Sequence, residues 1–183
     1  MHKTVFDSDF KIEENDLLFD YQKPLTEKLD SSNKEFDQNI LNEIVLWKVN
    51  RYADFDKEIL RLINSIDTNQ DVLSREITRK VLSKLLKIKG VQIAMASTIM
   101  RFRNPNVYQI IDQRVYRVIY KDKTLNLNTT RTEKNIEYQI ELYLQYLEDL
   151  RNTCEKLNIP FSESDRILYK ADKRINKDIK LKY

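Results

Sequence analysis

Residues that interrupt helices are almost missing from this sequence. Its 183 residues include one glycine and three prolines, and these two residue types most often end or break a helix. Apolar residues recur at three- and four-residue spacing along most of the chain, as they do on one face of a helix. No segment shows a convincing strand pattern. The sequence therefore predicts an all-α fold.

The only glycine, Gly90, lies between two apolar helical patterns, in the stretch KIKGVQIAMAS. A tight hairpin between helices needs one residue with a positive φ, which glycine adopts without a steric clash. The second helix is then expected to begin immediately after the glycine, so that the backbone N–H groups of Gly90, Val91 and Gln92 would form an anion site. An ordinary helical hairpin with a glycine cap remains the alternative.

Charge is distributed unevenly along the chain. Residues 1–45 carry a net charge of −6, so the remainder carries +9. Between Val81 and Arg117 the single acidic residue is Asp112. So dense a basic region is typical of proteins that bind phosphate, although a solvated helix face is the alternative. The basic residues of this region are Lys84, Lys87, Lys89, Arg101, Arg103, Arg114 and Arg117.

Cysteine and histidine are too scarce for several kinds of site. Cys154 and His2 are the only residues of their types, which argues against a disulfide, a cysteine-ligated iron–sulfur cluster, a structural zinc site and histidine-based triads. We therefore expect no metal and no cofactor. Cys154 continues an apolar helical stripe, so we expect it in the core.

The sequence also bears on where the protein acts. No apolar run reaches the roughly 18 residues that a membrane span needs, and the first residues lack the pattern of a secretory signal. We therefore expect a cytoplasmic protein with no membrane partner.

Two neighbouring segments resemble the helix–hairpin–helix DNA glycosylase superfamily. They are KIKGVQIAMASTIMRF and YQIIDQRVYRVIY, which contain the hairpin and a spaced Asp-x-x-Val-x-Arg motif beginning at Asp112. The resemblance covers residues 88–120. It implies a two-lobed helical fold with a cleft, DNA as the partner and removal of a damaged or modified base that is flipped out of the duplex.

The resemblance also implies roles for individual residues. Asp112 would be the key carboxylate, and the hairpin would bind a DNA phosphate. Arg114 and Arg117 would support the DNA backbone or orient Asp112, and Arg101 would bind DNA. The alternative for Asp112 is a plain helix N-cap. The chain has Ala94 where lyase-active members have a lysine, so we expect a monofunctional enzyme.

Other residues are weaker candidates. Trp47, Arg51 and Tyr52 could form a base pocket with Lys48, which is also the reserve candidate for a lysine nucleophile. The alternative is a core tryptophan beside solvated cations. Further pocket candidates close to Asp112 are Tyr108 and Gln113.

These observations predict an acidic N-terminal arm, residues 1–36, and a helical domain, residues 37–183, acting as a monomer. The first functional hypothesis is a monofunctional DNA N-glycosylase. The second is a DNA-binding module without catalysis. The third is an interaction protein whose acidic segment docks a partner or covers the basic cleft.

Overall fold

The computed structural model describes residues 21–31, 36–49, 53–120 and 124–181. These residues form helices joined by turns and loops, and none of them forms a β-strand, which confirms the all-α prediction. No described helix is both long enough and apolar enough to cross a membrane. The helices are α1 (Lys23–Asp30), α2 (Gln38–Lys48), α3 (Lys57–Asn64), α4 (Arg75–Leu85), α5 (Ile93–Arg103), α6 (Gln113–Ile119), α7 (Glu133–Leu157) and α8 (Ser164–Ile175).

The chain divides into two compact units, Met1–Tyr52 and Ala53–Tyr183. In the first unit α1 packs against α2 through Trp47, whose indole Nε1 donates a hydrogen bond to Thr26 Oγ1 over 2.9 Å. The Trp47 ring meets Tyr21 edge to face, with centroids 5.2 Å apart. The division at residue 52 differs from the boundary expected at residue 36, because α1 and α2 pack together.

The second unit is built around α7, its longest described helix. Apolar side chains on one stripe of α7 pack against α4 and α6 and are withdrawn from solvent, which is the main stabilising contribution in a helical core. Cys154 is 3% exposed, which confirms its predicted place in the core. The buried α7 residues are Ile136, Gln139, Ile140, Tyr143, Leu144, Tyr146, Leu147, Leu150 and Cys154.

An ion-pair network joins α6 to α8 around the fully buried carboxylate of Asp172. Arg117 donates to both carboxylate oxygens, over 2.6 and 2.8 Å, and Arg114 donates to Oδ2 over 2.9 Å. Asn176 completes the network with a 2.8 Å hydrogen bond to Oδ1. A buried charge needs such complete pairing to be tolerated, so the network fixes the position of α8 on α6.

The same network sets the pKa of Asp172. Burial alone would raise that pKa, but the hydrogen bonds from Arg117, Asn176 and Arg114 together outweigh burial and lower it from 3.8 to about 2. A carboxyl whose pKa is lowered by folding stabilises the folded state above its unfolded pKa. That stabilisation is lost as the pH falls from about 4 towards 2.

We therefore expect Asp172→Asn to lower the free energy of unfolding at pH 7 by about 2–4 kcal/mol, because two arginines lose their counter-ion. Urea denaturation of the variant and the wild type measures the difference. The gap should narrow between pH 4 and pH 2, where the wild-type carboxyl becomes protonated. The matched control is Asp178→Asn, which changes an exposed carboxylate in the same region. An equal effect of both substitutions would contradict the assignment.

Candidate functional site

The turn between α4 and α5 contains Gly90 with a φ of 87°, which confirms the predicted need for a positive φ. The turn is closed by a hydrogen bond from Val91 N–H to the carbonyl of Ile88, over 3.2 Å. The prediction that the Val91 amide binds phosphate is therefore wrong, because this N–H already has an acceptor and Val91 is buried. A Cβ built on Gly90 meets no atom within 4 Å. The backbone conformation, and not the surrounding space, is therefore what selects glycine here.

The start of α5 presents unpaired backbone donors. The side chain of its N-cap residue, Gln92, makes no capping hydrogen bond. The first backbone hydrogen bond of the helix is donated by Ala96 N–H to the Gln92 carbonyl, over 2.9 Å. The N–H groups of Ile93, Ala94 and Met95 consequently have no acceptor among the described residues. Such a helix start attracts anions. The helix begins three residues after Gly90, and not immediately after it as expected.

The segment that leads into Asp112 is held from two sides. Tyr143 and Tyr146 of α7 donate hydrogen bonds from their hydroxyls to the carbonyls of Gln109 and Ile110, over 2.9 and 2.7 Å. From α5, the hydroxyl of Ser97 accepts a 3.2 Å bond from the N–H of Ile111. Three consecutive residues are thus fixed before the chain reaches Asp112.

Both tyrosines remain protonated donors. Burial raises the pKa of Tyr143 and of Tyr146 well above the ordinary value. A phenolate at either position would face the carbonyl oxygen that now accepts its hydrogen bond. The bonds therefore persist across the pH range in which a protein is normally studied.

Asp112 is the N-cap of α6, as predicted. Its Oδ1 accepts hydrogen bonds from the N–H groups of Arg114 and Val115, over 2.8 and 3.1 Å. Its other oxygen, Oδ2, has no hydrogen-bond partner among the described residues. Asp112 is half-buried. One oxygen therefore orients the side chain, and the second is available to a ligand.

An open groove of about 940 Å³ runs past Asp112, and we call it the Asp112 groove. The groove is lined by Gln92, Ala94 and Met95 at the start of α5, and by Asp112 and Gln113 at the start of α6. The remaining lining residues are Thr98, Ile110, Ile111, Leu125, Asn126, Leu127, Asn128 and Leu181.

A second cavity of about 390 Å³, the α6–α8 pocket, shares Asp112 and Ile110 with the groove. Its other lining residues are Val115, Asp165, Arg166, Tyr169 and Lys170. Asp112 therefore lies next to both cavities.

The basic residues near the hairpin differ in their pairing. Lys84 is 3.0 Å from Glu58, and Lys87 is 2.6 Å from Glu133, with all four side chains exposed. Ion pairs this exposed are weak and can exchange for a phosphate. Lys89 is exposed and has no ion-pair partner among the described residues. The three lysines fit the predicted anion-binding hairpin, and Lys89 is the most available.

Arg101 is a correction to the predicted DNA contacts. Its side chain is 6% exposed, donates to the Ser162 carbonyl over 3.0 Å and lies 3.6 Å from the buried carboxylate of Asp165. A guanidinium in this position cannot reach a DNA backbone. It balances the buried charge of Asp165 instead.

Arg114 and Arg117 are also used inside the protein. The Asp172 network takes three of their nitrogen donors, and Arg117 Nη1 donates to the Ile179 carbonyl over 3.1 Å. These arginines position α8, so the predicted DNA contacts of Arg114 and Arg117 are corrected: their guanidinium groups are bound inside the protein. Neither guanidinium group makes a hydrogen bond or ion pair with the Asp112 side chain. The contact between Arg114 and this carboxylate comes from the Arg114 backbone N–H.

The predicted base pocket is not assembled as expected. Tyr108 is 2% exposed and its hydroxyl lies 3.0 Å from Thr78 Oγ1, so its ring cannot stack on a base. Trp47 packs inside the first unit, and Lys48 is exposed, so it lacks the desolvation expected of a lysine nucleophile. Arg51 and Tyr52 lie outside the described residues. Gln113 does line the Asp112 groove.

A further part of the groove lining, the loop 125–128, was not predicted from the sequence. Leucine and asparagine alternate along this loop, but that alternation does not indicate a place beside Asp112. No function was assigned from the sequence to the basic residues of α8. No group of three or more acidic, cysteine or histidine side chains suited to a metal occurs among the described residues.

Comparison with known proteins finds no family model, no curated protein and no solved structure that matches the chain. What the site does is therefore inferred from its own residues.

The hairpin conformation makes a specific prediction for Gly90. Gly90→Ala should lower the free energy of unfolding by about 1 kcal/mol, since alanine is strained at a positive φ. Gly90→Asn should cost less, because asparagine adopts positive φ more easily. Chemical denaturation measures both. Equal stability of the alanine variant and the wild type would contradict the conformational explanation.

Proposed function

We propose that the protein is a monofunctional DNA N-glycosylase that removes a damaged or modified base, with Asp112 as the key carboxylate. One observation carries the proposal: the Asp112 groove brings the unpaired N–H groups at the start of α5 together with a half-buried carboxylate that has one oxygen free. The first feature suits a backbone phosphate, and the second suits a sugar that develops positive charge.

The chemistry explains why a carboxylate belongs there. Cleavage of an N-glycosidic bond passes through a state in which the sugar resembles an oxocarbenium ion. A carboxylate held in place beforehand stabilises that charge without having to reorganise. The capping bonds to Oδ1 and the fixed residues 109–111 supply this preorganisation.

The groove favours the monofunctional reaction. Ala94 lines it at the position where the resemblance implies a lysine in lyase-active enzymes, and none of the residues that line the groove is a lysine. A covalent imine with the sugar would need an amine at that place. Water is therefore the nucleophile in the proposed reaction, and the DNA backbone remains intact.

A second candidate function is DNA binding without catalysis. The observation that favours it is the use of Asp112 as a complete N-cap, which gives this residue a structural reason to be present. Under this alternative the hairpin holds a phosphate and the carboxylate only begins α6.

Asp112→Asn separates the two functions. Asparagine caps a helix about as well as aspartate, so we expect the stability to change by less than about 1 kcal/mol. Base release should fall at least about 100-fold, because the charge is lost. The assay uses duplex and single-stranded oligonucleotides that carry uracil or alkylated, deaminated, oxidised or hypermodified bases, and it reads strand breaks with and without alkali.

The matched control is Asp56→Asn, which changes the N-cap of α3 and lines neither the Asp112 groove nor the α6–α8 pocket. Strand breaks only after alkali, lost in Asp112→Asn and kept in Asp56→Asn, would support a monofunctional enzyme. Undiminished base release by Asp112→Asn would reject the catalytic role.

The hairpin is tested by binding. Lys89→Glu should weaken DNA binding several-fold at low salt and should reduce its salt dependence by the equivalent of about one phosphate contact. Lys80→Glu is the control, since Lys80 is exposed on α4 and has no ion pair among the described residues. Fluorescence anisotropy at increasing salt concentrations measures both variants. Equal effects of the two substitutions would argue against a phosphate site at the hairpin.

A further inference from the structure

Helix α8 keeps its acidic residues inside the protein and its basic residues outside. Asp165 and Asp172 are 3% and 0% exposed. Each is neutralised by arginines from other helices: Arg101 of α5 for Asp165, and Arg114 and Arg117 of α6 for Asp172. The basic residues of α8 are therefore not needed to balance the acids of their own helix.

All four of these basic residues share one side of α8. Arg166, Lys170, Lys173 and Arg174 are all exposed, and at 100° per residue they fall within a sector of about 100°. We call this sector the α8 basic face. Arg166 is 3.1 Å from Glu163 in an exposed pair, and the other three have no ion-pair partner among the described residues. The face is thus a concentrated positive field with little local compensation.

The α8 basic face borders the candidate site. Arg166, Tyr169 and Lys170 line the α6–α8 pocket, which Asp112 also lines. The exposed ring of Tyr169 lies beside the face, with the Lys173 ammonium 5.8 Å from its centroid. Aromatic rings among exposed cations are a common arrangement where proteins contact nucleic acid.

The rest of α8 indicates which polyanion fits. A helix that binds a membrane surface inserts its apolar face into the lipid. In α8 Leu168 is 3% exposed and Ala171 is partly buried. The exposed apolar side chains, Ile167, Tyr169 and Ile175, are spread around the helix and form no single apolar face. What α8 offers to a partner is therefore mainly charge, which suits the phosphates of a nucleic-acid backbone.

We propose that the α8 basic face is a second DNA-binding surface, which holds backbone phosphates beside the α6–α8 pocket, while the α5 hairpin holds them beside the Asp112 groove. This inference rests on the proposed function in taking DNA as the partner, but it does not require catalysis. A strand that contacts both surfaces would cross Asp112, which lines both the groove and the pocket.

The test is the double variant Lys170→Glu/Lys173→Glu, with Lys80→Glu/Lys156→Glu as a control of equal charge. The control lysines are exposed, lie on α4 and α7 and line neither cavity around Asp112. Anisotropy with an undamaged oligonucleotide is measured from low to high salt. We expect the α8 variant to lose at least about ten-fold in affinity and the slope of log K against log salt to fall by about 2.

Two further measurements keep the result interpretable. Lys170→Gln/Lys173→Gln removes the charges without reversing them, and it should show a smaller loss in the same direction. Thermal unfolding should give unchanged melting temperatures for both α8 variants, since the changed side chains are exposed.

The outcomes separate this proposal from the proposed enzyme. Affinity lost in the α8 variants and kept in the control supports the second surface, even if no base is ever released. If the wild type releases a base and all variants bind the oligonucleotide with equal affinity, the second surface is overturned and the proposed enzyme function is supported. Binding to anionic lipid vesicles without binding to DNA overturns the second surface, and no binding to either overturns both proposals.

Discussion

The second unit depends on two hydrogen bonds from buried tyrosines to backbone carbonyls. Tyr143 and Tyr146 lie on the core side of α7 and reach Gln109 and Ile110, which belong to an irregular segment. Irregular backbone inside a protein is costly unless its polar groups are paired. The two tyrosine hydroxyls pair these carbonyl groups, so the chain can pass through the core between α5 and α6. Without them, neither the start of α6 nor the carboxylate at its cap would have a defined position.

Buried charge organises the other side of the unit. Two buried aspartates of α8 pair with three arginines of α5 and α6. Arg101 Nε and Asp165 Oδ2 lack a hydrogen bond, so their pairing is purely electrostatic. Because an unpaired buried charge is costly, Asp172 must stay against the two arginines of α6, and this requirement fixes the register of α8 on α6. That register determines which side of α8 faces solvent.

The sequence was informative where the cause is local. A positive φ at Gly90, the cap at Asp112 and the buried stripe that includes Cys154 follow from short-range patterns, and the structure contains all three. The pairing of residues distant along the chain could not be predicted. Arg101, Arg114 and Arg117 stand in a basic stretch, and nothing local shows that aspartates about 60 positions later neutralise them.

In this unit, the residues that hold the candidate site in place differ from the residues that line its groove. Ile93, Ala96, Ser97 and Met100 of α5 are buried, whereas Ala94 and Met95 are exposed and line the Asp112 groove. Substitutions at these two positions can reshape the groove without disturbing the core or moving the carboxylate. The site is consequently evolvable: a lineage could change which ligand it accepts through one or two substitutions, at little cost to folding.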